Sequence, residues 1–230
     1  MGLYAIGDLH FSTAVNKPMD IFGDNWDNHQ QRIIDNWKNT IKEDDTVILL
    51  GDTSWAINLR EVKLDLDIID SLPGNKYFIK GNHDYWWTTV TNLNKMYENM
   101  KFMQTNFYTY GEYAICGGRG WICPNDFKFD KEDEKIYKRE VNRIRLSLES
   151  AKKQGFEKII VVTHYPPTND ALDDSEFTKL YEEFKVEQVV YGHLHGKESF
   201  KMGLREPRNN IEYTLASCDY TNFELIKLKD

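Results

Sequence analysis

The side chains with the clearest chemical potential are histidines, aspartates and one asparagine, which recur in short segments along this 230-residue chain. The candidate metal ligands among them are Asp8, His10, Asp52, Asn82, His164, His193 and His195. Imidazole nitrogens combined with carboxylate and amide oxygens suit manganese, iron or zinc better than calcium or magnesium. Seven donors are too many for one tetrahedral ion but fit two ions that share a ligand. We therefore predict a centre of two divalent or trivalent metal ions, with the Asp52 carboxylate between them.

Such a centre would be electropositive in a chain whose formal net charge is −8. Two dications contribute about +4, and the Asp8 and Asp52 carboxylates with one hydroxide contribute about −3, which leaves about +1. An aspartate in place of Asn82 would cancel that surplus. The site is therefore predicted to attract a phosphate anion, although an acidic chain has no general attraction for nucleic acid or an anionic membrane.

Each of these segments follows a short apolar run of the kind that forms a buried strand. The predicted strands cover residues 3–6, 47–50, 77–79, 159–162 and 189–191. The carboxyl ends of strands lie along one edge of an α/β sheet, which is where these folds bind ligands. We therefore expect the strands to bring the polar segments together. The remaining histidine, His29, is expected to start a helix and to have no catalytic role.

The rest of the chain alternates between helical and extended patterns, as is typical of an α/β domain. Predicted helices cover residues 29–42, 60–71, 88–100, 131–154 and 175–184. Further predicted strands cover residues 107–110, 113–116, 199–202, 211–216 and 223–228. The polar loop 11–28 contains no predicted element, and a loop of that length in a compact domain is a candidate for function.

Composition narrows the class of protein. With 40% hydrophobic and 13% aromatic residues, the chain can form one packed domain over residues 1–230. Its apolar runs are too short to span a bilayer, and its first residues lack the pattern of a signal peptide. The three cysteines have spacings that fit no zinc motif, which indicates reduced thiols. We therefore expect a cytoplasmic protein with no membrane partner.

The polar segments also occur in a definite order between residues 8 and 195. They are Asp8-Leu9-His10, Gly51-Asp52, Gly81-Asn82-His83-Asp84, His164 and Gly192-His193-Leu194-His195. Each is common when it stands alone, for instance as a turn, so the signal lies in their joint occurrence. This set resembles the motifs of the calcineurin-like metallophosphoesterase superfamily. The resemblance implies a four-layer α/β/β/α sandwich with two mixed β-sheets, and the activity of a small bacterial-type phosphohydrolase.

The same resemblance implies two ligand sets that share one aspartate. The first metal would be held by Asp8, His10, Asp52 and His195. The second would be held by Asp52, Asn82, His164 and His193. A hydroxide that bridges the metals would attack phosphorus and hydrolyse a phosphomonoester or a phosphodiester. His83 would bind no metal; it would be oriented and kept protonated by Asp84, and would assist the leaving group.

The glycine-rich segment 117–121 allows two interpretations. Such a segment can serve only to reverse the chain. Alternatively, it would let Arg119 clamp a phosphate group and Trp121 stack on a base or a sugar. We therefore include Arg119 and Trp121 among the candidate substrate-binding residues.

The motifs of this chain differ from those of known subfamilies, and these differences narrow the class of substrate. Purple acid phosphatases have a tyrosine three residues after the bridging aspartate, whereas this chain has Trp55 there. Protein serine/threonine phosphatases end the third motif in glutamate, whereas this chain has Asp84. The expected partner is therefore a phosphorylated small molecule, with cyclic nucleotides, nucleotides and glycerophosphodiesters all open. The sequence does not predict an oligomeric state.

Two alternatives belong to other functional classes. A nuclease of the same superfamily would need a face that binds DNA, which the acidic net charge disfavours. A non-catalytic scaffold on this fold would lose metal ligands or the histidine that assists the leaving group. This chain keeps all of them, so an enzyme is favoured.

Overall fold

The computed structural model describes residues 1–125 and 129–230, and within them it has ten strands and six α-helices. Strands β1 to β5 are Leu3–Ile6, Thr46–Leu49, Asn75–Phe78, Met100–Phe102 and Phe107–Tyr110. Strands β6 to β10 are Tyr113–Gly118, Lys158–Thr163, Gln188–Tyr191, Glu212–Leu215 and Ile226–Lys229. Helices α1 to α6 are His29–Thr40, Leu59–Asp70, Val90–Leu93, Lys131–Lys153, Glu176–Glu183 and Gly196–Phe200. None of these helices is both long enough and apolar enough to cross a membrane.

The strands form two five-stranded mixed sheets. The first has the order β10-β1-β2-β3-β4, in which β10 is antiparallel to β1 and the other neighbours are parallel. The second has the order β5-β6-β7-β8-β9, in which β5 is antiparallel to β6. Parallel neighbours need crossover connections, which contain α1, α2 and α3 in the first sheet and α4, α5 and α6 in the second.

Three apolar cores separate the layers. Side chains of a strand alternate between its two faces. Ile48 of β2 and Ile160 of β7 belong to the core between the sheets. The neighbouring Leu49 faces outward and shares a core with Trp37 of α1, whereas Val161 shares a third core with residues of α4. The sheets therefore pack face to face with helices outside, and the predicted four-layer α/β/β/α sandwich is confirmed.

The predicted helix over residues 88–100 is wrong for most of its length. Only Val90–Leu93 is helical, and Met100–Phe102 forms strand β4. Asn94 caps the short helix, and its Oδ1 accepts the backbone N–H of Phe102 at 2.7 Å. Asparagine side chains compete with the helix for backbone hydrogen bonds, which explains the early end.

Two predicted elements near the carboxyl terminus are also displaced. The predicted strand 199–202 lies in the end of α6 and the turn that follows it. This helix starts at Gly196, whose N–H donates to Asp219 Oδ2 at 3.0 Å. The predicted strand 223–228 begins only at Ile226, because Phe223 has a left-handed backbone with φ of 64°.

Candidate active site

The predicted metal ligands come from both sheets and meet at the seam between them. Asp8, His10, Asp52 and Asn82 follow strands of the first sheet, and His164, His193 and His195 follow strands of the second. His164 Nε2 lies 3.5 Å from Asp52 Oδ2. His195 Nε2 lies 3.5 Å from Asp8 Oδ1. The carboxyl ends of the strands therefore place side chains from two separate layers in direct contact.

The Asp52 carboxylate lies between two groups of imidazoles. Its Oδ2 is 3.5 Å from His164 Nε2 and 3.9 Å from His10 Nε2. Its Oδ1 accepts the backbone N–H of His83 at 2.8 Å. Asp52 Oδ2 therefore approaches one imidazole from each sheet, and the bridging role of Asp52 stays a prediction.

Two clusters of ligand atoms could each hold a metal ion. In each cluster the ligand atoms lie within 4.8 Å of one another, and the members are Asp8, His10 and His195 in the first and Asp8, Asp52 and His164 in the second. Asn82 Oδ1 and His193 Nδ1 lie 2.7 Å and 3.2 Å from His164 Nε2, and so border the second cluster. The structure thus brings all seven predicted ligands together, and Asp8 is the member that the two clusters share.

The backbone at four of these residues is left-handed, a conformation that residues other than glycine rarely adopt. The φ angles are 62° at Asp8, 48° at His10, 49° at Asp52 and 72° at His193. Hydrogen bonds hold this conformation: the Asp8 N–H donates to the Gly51 carbonyl at 3.0 Å, and the His193 N–H donates to Asp8 Oδ2 at 2.9 Å. Such strain costs about 1–3 kcal/mol per residue and clusters at functional sites.

The buried carboxylates make the site favourable for cations. Burial, and then the neighbouring charge of Asp8, raises the pKa of Asp52 to about 8. Burial acts to lower the pKa of His195, but the Asp8 and Asp219 carboxylates raise it to about 10. Both groups therefore hold protons at neutral pH that a metal ion must displace. Metal affinity is expected to increase as the pH rises.

The other imidazoles are already in the form that binds metals. Burial lowers the pKa of His10 and of His164, and it lowers the pKa of His193 to about 3. These rings are neutral at physiological pH, and neutral imidazole is a metal ligand. The donor set therefore fits two cations in its geometry, and of its imidazoles only His195 has to lose a proton.

A cavity of about 320 Å³ opens above the ligands. Its floor comprises His10, Asp52, His83, His193 and His195. The loop 11–28 contributes Met19, Phe22, Asn25 and Trp26 to its wall, and Trp55 also lines it. The volume is that of a site for a small molecule.

Residues 1–197 match the family model described as calcineurin-like phosphoesterase. This chain belongs to the calcineurin-like phosphoesterase family. Membership confirms the resemblance that the five motifs predicted. Together with the two ligand clusters, it supports metal-dependent hydrolysis of phosphoesters as the general activity of this phosphoesterase.

The phosphoesterase is similar to one curated protein in part of its sequence and to solved structures in its fold. The uncharacterized protein MJ1445 of Methanocaldococcus jannaschii is 32% identical over 87 residues, which are 36% of this chain and 46% of the relative, so the match spans about half of that relative. The structure of TT1561 from Thermus thermophilus has a TM-score of 0.62 and 11% identity, with 99% of this chain and 97% of that chain covered. The phosphopantetheinyl hydrolase from Mycobacterium tuberculosis has a TM-score of 0.57 and 15% identity, with 99% and 95% covered.

Asp84, the acidic residue of the third motif, does not have the role that was predicted for it. The Asp84 carboxylate accepts four N–H groups, from the backbones of Asp52 and Thr53 at 2.9 Å, the backbone of Gly81 at 2.7 Å and the indole of Trp86 at 3.1 Å. It therefore joins the loop of Asp52 to the loop of the third motif. The prediction that Asp84 orients the imidazole of His83 is wrong, because both carboxylate oxygens are engaged by these donors.

His83 itself lines the cavity together with Asp52. Its ring packs 4.4 Å from the ring of Trp55, and its buried Nδ1 has no hydrogen-bond partner among the described residues. Burial, followed by nearby histidines, lowers its pKa. The prediction that Asp84 keeps His83 protonated is therefore wrong for the free phosphoesterase, and the ring is neutral at physiological pH.

Neither candidate substrate-binding residue of the glycine-rich segment lines the cavity above the metal ligands. The guanidinium of Arg119 lies 3.4 Å from the buried Glu140 carboxylate of α4. Trp121 donates its indole N–H to Asp133 at 3.1 Å and packs 5.1 Å from the ring of Tyr165. A buried carboxylate attracts the arginine away from the cavity, so the predicted phosphate clamp is not formed.

One functional residue was missed by the sequence analysis. The Nδ1–H of His195 donates to Asp219 Oδ1 at 2.9 Å, which leaves His195 Nε2 facing Asp8. A carboxylate behind a histidine fixes the tautomer and the orientation of a metal ligand. The signal was present, because Asp219 follows the predicted strand 211–216 as Asp8 and Asp52 follow theirs. That strand is β9, which pairs with β8 just before His195.

Replacing Asp219 with asparagine is expected to weaken metal binding about 10- to 100-fold, because the His195 ring loses the carboxylate that orients it. Equilibrium dialysis against manganese, with metal content measured by atomic emission, tests this. The exposed Asp170 provides a matched control as Asp170→Asn. Equal manganese affinity in the two variants would show that Asp219 does not position a ligand, and thermal unfolding of the chelated proteins would reveal a merely structural defect.

Proposed function

We propose that this phosphoesterase hydrolyses a phosphorylated small molecule, either a phosphomonoester or a phosphodiester, with two metal ions. The observation that carries the proposal is the Asp52 oxygen with an imidazole from each sheet at 3.5 Å and 3.9 Å on the floor of a cavity of about 320 Å³. When bound in this donor set, two cations would neutralise phosphate oxygens and lower the pKa of a water molecule toward about 7.

The chain itself supplies the group for the departing oxygen. His83 lines the cavity but belongs to neither ligand cluster. A phosphate group bound beside it brings negative charge, which favours the protonated ring and raises its pKa. His83 can then take up a proton and donate it to the oxygen of the leaving alcohol.

The wall of the cavity indicates what the alcohol portion of the substrate looks like. Met19, Phe22, Trp26 and Trp55 present apolar surface above the metal ligands. A leaving group with an aromatic or aliphatic portion would bury that surface, whereas a small polar alcohol would leave it in water. We therefore propose a substrate whose alcohol portion is apolar or aromatic.

Phe22 tests the role of this wall, because it lines the cavity although it is 64% exposed. The change Phe22→Ala is expected to raise KM for an aryl phosphodiester about fivefold, equivalent to about 1 kcal/mol of apolar contact, with kcat nearly unchanged. The neighbouring Ile21 is 73% exposed and does not line the cavity, so Ile21→Ala is the matched control. Identical KM values for the two variants would exclude a contact between Phe22 and the substrate.

The proposed activity is tested by reconstituting the protein with manganese, iron or zinc and assaying phosphomonoesters, phosphodiesters, nucleotides and phosphopeptides. We expect turnover that depends on metal and about two ions per chain. Binding of one ion at saturation would contradict the shared role of Asp52. Absence of turnover with every metal would contradict the enzyme itself, and nicking of plasmid DNA would favour a nuclease instead.

A further inference from the structure

A polar cavity of about 240 Å³ lies apart from the predicted metal centre. Its lining residues with charged side chains are Lys80, Arg119, Arg139, Glu140 and Arg143. None of the predicted metal ligands lines it. It is close to that centre along the chain, since Lys80 immediately precedes the third motif and the Arg119 carbonyl accepts the backbone N–H of His164 at 3.1 Å.

The cavity has a large positive excess. Four cationic side chains and one carboxylate give it a formal charge of +3, whereas the whole chain carries −8. All three guanidinium groups approach the same atom, Glu140 Oε1, at 2.7 Å from Arg143, 3.3 Å from Arg139 and 3.4 Å from Arg119. One buried carboxylate can compensate one of these charges, so the others repel each other unless an anion joins them.

Several donors in the cavity residues are unused. Lys80 Nζ has no ion-pair or hydrogen-bond partner within residues 1–125 and 129–230. Arg119 Nε and Trp87 Nε1 are buried and also lack partners there. Buried donors without acceptors are costly, and native proteins rarely keep them without a reason. The chemistry of this group is therefore that of an incomplete site whose missing part is an acceptor with negative charge.

An ordinary surface ion pair on the same helix provides the contrast. Arg145 of α4 lies beside Glu183 of α5 and makes two hydrogen bonds to its two oxygens at 2.6 Å and 2.7 Å. That arginine is matched one to one by a carboxylate. Lys80, Arg119 and Arg139 do not each have a carboxylate of their own. Their positive charge is therefore left for an anionic ligand, whereas that of Arg145 is already compensated.

We propose that this cavity binds a compact anion of the phosphate class at a site separate from the metal centre. Guanidinium groups offer paired N–H donors that match two oxygens of a phosphate, and lysine adds a point charge. A volume of about 240 Å³ suits a small phosphate or oligophosphate. This site does not depend on the proposed catalytic function, because none of its residues binds the predicted metals.

The test is titration calorimetry of the metal-loaded protein with inorganic phosphate at low ionic strength. The wild-type protein is expected to show two binding events, one at the metal centre and one at the cavity. Lys80→Gln removes a cation that has no partner to disturb, and it is expected to weaken the cavity event about 10- to 100-fold while the other event is kept. Arg139→Gln is expected to do the same.

Arg145→Gln is the matched control, because it changes the net charge equally but lies outside the cavity. Unchanged phosphate affinity in this control would exclude a general charge effect. The proposal is overturned if Lys80→Gln and Arg139→Gln, shown by thermal unfolding to be folded, keep both binding events. If the metal centre does not bind phosphate, the proposed function fails, but a single event that Lys80→Gln removes would still establish the cavity site.

Discussion

The change Asp52→Asn is expected to lower kcat/KM by about a thousandfold or more, because it removes several kcal/mol of charge stabilisation that two metals held together would provide. Bound metal should fall from about two ions per chain to one or none. Asparagine keeps the size of the side chain and an oxygen that can accept the His83 N–H. What it loses is the negative charge between the imidazoles of His10 and His164.

Measuring activity together with metal content by atomic emission separates the metal role from a folding defect. The pKa of Asp52 is raised to about 8 from its ordinary value of 3.8. Between those values the carboxyl ionises in the unfolded chain but stays protonated in the folded protein, so the metal-free protein becomes less stable as the pH rises. At pH 7 the metal-free Asp52→Asn protein should therefore unfold at the same free energy as the wild type or a higher one. The exposed Asp44→Asn serves as the control. Normal metal content in Asp52→Asn would contradict the shared-ligand role.

His83→Ala is expected to show the second largest effect, which should depend on the substrate. Phosphoesters of poorly acidic alcohols need a proton on the leaving oxygen, so their kcat should fall about 10²- to 10⁴-fold. Nitrophenyl esters leave without that proton, and their kcat should fall far less. The ratio of the two losses is the measurement. Equal losses on both substrates would show that His83 binds phosphate rather than acting as an acid.

The pH profile provides a second readout for His83. Because burial lowers its pKa in the free protein, the decline of kcat/KM with rising pH should be centred below the ordinary histidine value of 6.5. This limb of the profile should be missing from His83→Ala. A wild-type profile that declines only well above that pH would assign the proton to another group.

The convergence of the metal ligands was predictable because it follows from a topological rule. Parallel strands with polar residues at their carboxyl ends bring those residues to one edge, whatever the intervening chain does. The elements that carry Asp52 and His164 were therefore recognisable from short apolar runs. The left-handed backbone at Asp8 and His193 was not, since it results from hydrogen bonds between segments far apart in sequence.

Directions of side chains were the least predictable feature. Arg119 was expected at the substrate because glycines surround it, yet it turns toward Glu140, which from the sequence looks like one more exposed charge on an amphipathic helix. The Glu140 side chain is in fact 1% exposed. Asp84 was similarly expected beside its sequence neighbour His83 but is held by four N–H groups. Such choices depend on which partners the tertiary fold makes available, and spacing along the chain does not encode them.

Because the metal clusters lie between the two sheets, they have a consequence for the stability of the folded protein. Residues 3–102 supply four strands of one sheet and residues 107–215 supply all of the other. Cations bound between Asp8, Asp52 and the histidines of the second sheet would act as a reversible cross-link between these two halves, and ligands that bind only the native state stabilise it by mass action. When the ion is scarce, the association of the two sheets would therefore be less stable, and the proposed activity would be lost as well.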